Sequence, residues 1–189
     1  MTKKELRNIY KQRRMALTAS EQNRMDDLLL IQFQQLGIGI PDMIMTYAAM
    51  EKFREFDPHL ITDYCQFRNP AATLCYTVMN KENNTMQAMS ITPDTVFELN
   101  EYDIAEPVDG VPVFTGEIDM VLVPLLYFDA DGNRVGYGKG YYDRFLAHCR
   151  PDCIKIGFSY FDPLENIDDW NEHDIKLDYG ITPGGIFVF

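Results

Sequence analysis

Residues 120–128 read MVLVPLLYF, an apolar run broken only by the imino acid Pro124. Such a run has no polar face, so it belongs in the middle of a mostly parallel sheet covered on both sides. It is too short to cross a bilayer, which takes about 20 residues. A polar turn, Asp129–Asn133 (DADGN), follows, and then Arg134-Val-Gly-Tyr-Gly-Lys-Gly-Tyr-Tyr-Asp143. The order is buried strand, glycine-rich turn, helix.

The rest of the chain supplies matching elements. Leu6, Ile9, Tyr10 and Leu17 keep helical spacing and predict a helix over 3–16. On that helix Lys3, Arg7, Lys11 and Arg14 share one face. Thr18 and Glu21 form a capping box for a second helix that stops near Gly37. Residues 43–47 read as a buried strand. Asp57 and Pro58 read as N-cap and N1 of a helix over 58–67. Residues 73–79 and 85–91 read as strands joined by a turn at 80–84, and 119–128 as the central strand. A helix is expected over 140–149 and a strand over 155–158. Strands alternating with helices specify an α/β fold, a three-layer α/β/α sandwich with a mostly parallel central sheet. At this length one domain, residues 1–189, is expected.

The glycine turn carries the most chemistry. Gly136, Gly138 and Gly140 permit positive φ and close backbone approach. A helix start aims free N–H groups and a positive dipole end into the turn. Arg134 and Lys139 add full charge, so phosphate groups are the natural ligand. The spacing is not a P-loop, because Gly140 stands where Ser or Thr is needed. It is not a dinucleotide fingerprint, because Tyr141 stands at the third glycine. A plain strand-to-helix turn has the same composition. Asp143 either complements the helix dipole or holds Mg²⁺ against phosphate. Tyr141 and Tyr142 are either core aromatics or a platform for a flat heterocycle. The DADGN turn only half-matches a calcium loop, with Arg134 and Gly140 at the Gly and Glu positions.

Charge and cysteine content narrow the setting. The net charge is −12, which argues against nonspecific binding to nucleic acid or anionic membrane. Yet residues 1–24 carry seven cations and two acids, a net +5, leaving −17 on the remaining 165 residues. That local positive cluster is either an anion site or a solvated helix face. The basic N-terminus has no apolar h-region, so no signal peptide is read. Cys65, Cys75, Cys149 and Cys153 form no CxxC pair and are expected as reduced thiols in the cytoplasm.

The stretch VLVPLLYFDADGNRVGYGKGYYDRFL resembles the signature of the 5-formyltetrahydrofolate cyclo-ligase (5,10-methenyltetrahydrofolate synthetase) family. Further segments resemble the family in the same order: Lys3-Lys-Glu-Leu-Arg7, Glu55-Phe-Asp-Pro, Asn100-Glu-Tyr-Asp-Ile-Ala-Glu-Pro107 and His173-Asp-Ile-Lys-Leu-Asp178. The resemblance implies an ATP- and Mg²⁺-dependent cyclisation of 5-formyltetrahydrofolate to 5,10-methenyltetrahydrofolate, with release of ADP and phosphate through an iminium phosphate. It implies that Lys3, Arg7, Arg134, Val135, Gly136, Tyr137, Gly138, Lys139, Gly140, Tyr141 and Tyr142 bind ATP. Lys139 and Arg134 would stabilise the transferring group. Glu55 would bind the folate, with Arg7 and Tyr141 also touching it, and Asp143 and Asp174 would hold Mg²⁺. Small-molecule substrates and a monomer are expected.

Departures from the family pattern fall mainly on the folate side. The loop between Tyr47 and Glu55 is longer, Tyr76 replaces a common Pro, Asp103 replaces Gly, and a common Gln after Phe161 is missing. They motivate an alternative, a non-catalytic nucleotide- or folate-binding module on the same scaffold. An RNA-associated role for the basic helix conflicts with the net charge. His173 is expected as a structural hydrogen-bonding partner and Trp170 as a packing residue.

Overall fold

The computed structural model describes residues 1–189. Helix α1 (Lys3–Ala16) opens on a capping box of Thr2 and Glu5, and α2 (Ala19–Gln35) on the expected one of Thr18 and Glu21. Gly37, at φ 67°, ends the second helix as a left-handed residue should. Strand β1 (Met43–Met45) leads through a 3-10 turn, Glu51–Phe53, into α3 (His59–Arg68). Then come β2 (Thr73–Asn80), β3 (Thr85–Ser90), β4 (Phe97–Leu99), β5 (Ala105–Pro107) and β6 (Val111–Val113). The remaining elements are β7 (Met120–Val123), β8 (Tyr127–Phe128), β9 (Arg134–Val135), α4 (Tyr141–Leu146), β10 (Ile154–Phe158), β11 (Tyr179–Thr182) and β12 (Gly185–Val188).

Eight strands form one sheet in the order β12-β11-β10-β7-β1-β2-β3-β6. Its middle, β11-β10-β7-β1-β2, is parallel; β12, β3 and β6 pair antiparallel at the flanks. Strand β7 lies at the centre and is buried throughout. Its side chains alternate between two cores. Met120 and Leu122 join Leu6, Tyr10, Leu29, Phe33 and Ile61 from α1, α2 and α3. Val121 and Val123 join Tyr141, Phe145 and Leu146 from α4. The mostly parallel α/β architecture is therefore as expected, with helices on both faces, although the α4 layer is thin.

Local differences have local causes. The apolar run does not stay in one strand. Pro124 cannot donate to the ladder, and the chain leaves the sheet after Val123. Tyr127–Phe128 then pair with Arg134–Val135 as a separate hairpin. Hydrogen bonds to Asp129 close the DADGN turn. Buried Asp129 accepts from the backbone of Asp131, Asn133 and Ile167 and from the Asn133 side chain, at 2.9–3.2 Å. The helix expected over 140–149 ends at Leu146, because His148 and Cys149 donate back three residues, to Phe145 and Leu146, ahead of Pro151. Helix α3 starts one residue late: Pro58 takes the capping position and Asp57 accepts from the His59 amide at 3.1 Å. Asp103, which replaces the family's Gly, sits at φ 58°, a left-handed position that Asp tolerates. All four cysteines are free, and no helix is long and apolar enough to cross a membrane.

One half-buried acid gives the fold a pH signature. Asp26 on α2 accepts from Tyr160 at 2.7 Å. Burial raises its carboxyl from the ordinary 3.8 to about 6. The native chain thus binds that proton more tightly than the unfolded chain, and this group's contribution falls as pH rises from 3.8 through about 6. Asp26→Asn should reduce the loss of melting temperature across that window relative to the parent. Identical pH slopes in thermal unfolding would contradict the assignment.

Candidate active site

In an open parallel sheet, ligands bind beyond the carboxyl ends of the strands, where the connections diverge to opposite sides. Here that point lies between β1 and β7: β1 is followed by β2 on one side, and β7 pairs with it on the other. Three segments leave this crevice: residues 46–58 after β1, the β8–β9 hairpin with its glycine loop after β7, and residues 159–161 after β10.

The basic face of α1 runs along these segments. Lys3 pairs with Asp174. Arg7 donates from Nε to the Gly136 carbonyl at 2.8 Å. Lys11 lies with Nζ 4.2 Å from the centre of the Phe53 ring. Arg14 is only 3% exposed. Its Nε donates to the Phe53 carbonyl at 2.8 Å, its Nη1 to the Leu125 carbonyl at 3.3 Å and its Nη2 to the Tyr137 hydroxyl at 2.5 Å. The stripe therefore points at the site rather than at solvent. Arg14 belongs to the site although only its spacing with Lys3 and Arg7 announced it.

The loop itself depends on glycine at two places. Gly138 has φ 88°, and a Cβ there would stand 3.2 Å from the Arg7 guanidinium. Gly140 has φ 70° and precedes α4. Gly136 faces open space, with nothing within 4 Å of a Cβ position. Val135 is buried in the hairpin, and its carbonyl accepts from Leu126 at 2.8 Å.

Arg134 is buried below the loop. Its Nη2 donates to Asp143 Oδ1 at 2.7 Å and its Nη1 to the Ile175 carbonyl. Asp143 Oδ1 also accepts from the Ile175 amide at 3.1 Å. The residue before Ile175 is Asp174, whose Oδ2 takes Lys3 and the Asn171 amide. The structure thus links Lys3, Arg134, Asp143 and Asp174 through residues 174–175. Each carboxylate has one oxygen engaged by protein donors and the other without a donor. No group of three His, Cys, Asp or Glu side chains forms a closed metal cage. Two half-free carboxylates nevertheless fit an ion that completes its shell with phosphate and water, as Mg²⁺ does.

Glu55 stands on the opposite side of the crevice, 4% exposed. Its Oε2 accepts from the Met50 amide at 2.9 Å and its Oε1 from the Tyr137 hydroxyl at 2.8 Å. Burial pushes its carboxyl up; the Met50 amide, Arg14 and Tyr137 pull it back down, and the balance is upward. Glu55 borders a cleft of about 490 Å³ with Tyr47, Arg54, Asp57, Tyr76 and Phe97. Tyr76 packs edge-on against Phe97, 5.0 Å between centroids.

Some expected residues lie elsewhere or play other parts. Lys139 is exposed, with its carbonyl accepting from Arg144 at 3.0 Å, and it lines neither this cleft nor the cavity of about 620 Å³ beside Asp174. The Tyr141 ring is buried in the second core, with Arg144 5.3 Å from its centre. The Tyr142 hydroxyl is buried without a hydrogen-bond partner. His173 is not a structural hydrogen-bonding partner, since its side chain is 87% exposed and reaches only Glu172, at 3.9 Å. Trp170 is exposed rather than packed.

Residues 1–183 match the 5-formyltetrahydrofolate cyclo-ligase family. A 5-formyltetrahydrofolate cyclo-ligase from Mycoplasma pneumoniae is 27% identical over 184 residues, covering 94% of this chain and 96% of that protein. The mouse 5-formyltetrahydrofolate cyclo-ligase is 32% identical over 111 residues, a match that spans 51% of this chain and 53% of the mouse protein. A solved 5,10-methenyltetrahydrofolate synthetase from Aquifex aeolicus superposes with a TM-score of 0.78 at 26% identity, covering 100% of this chain and 93% of that one. By sequence along nearly its whole length and by fold, this chain belongs to the 5-formyltetrahydrofolate cyclo-ligase family.

Proposed function

We propose that this chain cyclises 5-formyltetrahydrofolate to 5,10-methenyltetrahydrofolate, consuming ATP and releasing ADP and phosphate. The observation that carries the reading is the loop around Tyr137. Arg7 meets the Gly136 carbonyl and Arg14 the Tyr137 phenol, and that phenol reaches a buried acid in a ligand-sized cleft. Family membership supplies the reaction class.

The chemistry calls for this arrangement. A formamide oxygen leaves poorly. Its attack on the γ-phosphorus breaks the bond to the bridging oxygen, ADP departs, and the substrate carries an iminium phosphate. N10 then bonds to the formyl carbon, phosphate leaves with the former formyl oxygen, and N10 gives up its proton. The protein's share is positioning and charge neutralisation.

Lys3, Arg7 and the backbone of residues 134–142 form the nucleotide pole in this reading. Arg134, fixed by Asp143 and Ile175, presents a rigid cation below the loop. Lys139, free at the surface, swings onto the terminal phosphate. A preorganised cation such as Arg134 stabilises charge developing in the transition state. The unengaged oxygens of Asp143 and Asp174 would hold Mg²⁺, which neutralises phosphate oxygens when bound. Glu55 accepts from donor groups of the pterin, since two of its roughly four lone-pair sites remain unused.

Purified protein supplied with ATP, Mg²⁺ and 5-formyltetrahydrofolate should develop methenyltetrahydrofolate absorbance, with one ADP per product. Absence of that absorbance over a range of pH and salt would overturn the reading. Gly138→Ala forces a side chain into left-handed backbone, a strain of about 1 kcal/mol, and presses on Arg7. It should raise KM for ATP while lowering the melting temperature by only about 2–4 °C. An unchanged KM for ATP in steady-state kinetics would remove the loop from the nucleotide site.

A further inference from the structure

Arg14 is a buried cation with no carboxylate in direct contact; two of its three partners are backbone carbonyls and the third is a phenol. Burying a charge this way is costly unless an opposite charge lies nearby. The nearby charge is Glu55, one hydrogen bond further on: Arg14 Nη2 donates to the Tyr137 oxygen at 2.5 Å, and the Tyr137 hydroxyl donates to Glu55 Oε1 at 2.8 Å. The direction of the proton chain is fixed, because a guanidinium only donates. The phenol must therefore spend its own hydrogen on Glu55. Arg is needed here rather than Lys, since its planar fork meets acceptors on three segments at once.

We propose that Arg14 and Tyr137 are positioning residues for Glu55, holding its carboxylate in the orientation that receives the pterin. This rests on the folate reading of Glu55 given above and extends it to two residues that reach substrate only through that acid. A bare structural staple would need no more than the Phe53 and Leu125 carbonyls. The phenol adds a link whose only further partner is the acid in the cleft. The loop divides its duties: the Gly136 carbonyl meets Arg7 on the nucleotide side, while the Tyr137 hydroxyl serves the folate side.

Groups facing Glu55 come from each surrounding segment. Arg14 approaches from α1, Tyr47 follows β1, Tyr137 lies on the loop and Tyr142 on α4; Glu51, Arg54 and Asp57 flank it in its own segment, and His59 of α3 lines the same cleft. Among these, Arg14 and the Tyr137 hydroxyl both favour the ionised acid. Losing either moves the protonation of Glu55 to higher pH.

The test is Tyr137→Phe, which keeps the ring beside Phe53, 5.9 Å between centroids, and removes only the hydroxyl. KM for 5-formyltetrahydrofolate should rise about tenfold, the worth of one hydrogen bond to a charged group. KM for ATP should stay within about twofold. The acidic limb of kcat/KM for the folate should move to higher pH. Arg14→Gln should move that limb further, and Arg14→Lys should restore part of it. Should Arg14→Gln fail to fold, Tyr137→Phe decides alone. A Tyr137→Phe enzyme with parental folate KM and an unmoved acidic limb would overturn the proposal. Glu55→Gln separates the two levels. A raised folate KM there, with normal Tyr137→Phe, sinks only the relay; an unchanged folate KM sinks the folate reading of Glu55 and the relay with it.

Discussion

The guanidinium of Arg14 joins three stretches of chain, one that follows β1 and two that follow β7. Phe53 follows β1, Leu125 follows β7 and Tyr137 lies beyond the hairpin. These segments form the walls of the crevice between β1 and β7, and a buried cation with three acceptors fixes their spacing. A hydrophobic contact could fill the same volume but could not specify which carbonyls face it. The site is rigid where it must aim charge and open where Gly136 faces space.

The same economy explains how a chain of net charge −12 would support the proposed anion site. Four of its seven cations near the N-terminus, Lys3, Arg7, Lys11 and Arg14, are laid along one helix face, and the fold turns that face inward. Acids hold two cations of the site, Lys3 on that face by Asp174 and Arg134 below the loop by Asp143. Such pairs hold cations in place while leaving carboxylate oxygens unclaimed. The acidic remainder of the surface would repel an anion approaching elsewhere, which favours entry at this one pole.

Periodicity made much of this legible. The two-faced apolar run identified the central strand, capping boxes located two helices, and the glycines marked a loop that needs positive φ. Long-range partners stayed hidden because spacing reports faces, not depth. Lys3, Arg7, Lys11 and Arg14 look equivalent in sequence, yet Arg14 alone of the four is buried. Pro124 divided the apolar run because a missing donor outweighs apolar continuity. Helix α4 stopped early because three-residue turns took over before Pro151. Tyr141 and Tyr142 are neighbours with the same side chain; only the packing of α4 assigns one ring to the core and leaves the other with a buried, unpartnered hydroxyl.

The central claim is that the loop after the β8–β9 hairpin grips a nucleoside triphosphate. Amide hydrogen exchange, followed residue by residue with and without ATP and Mg²⁺, tests it most directly. The account predicts slowed exchange at residues 136–140, with smaller protection reaching Glu55 through Tyr137. Saturable ATP binding that leaves exchange in this loop unchanged would contradict it.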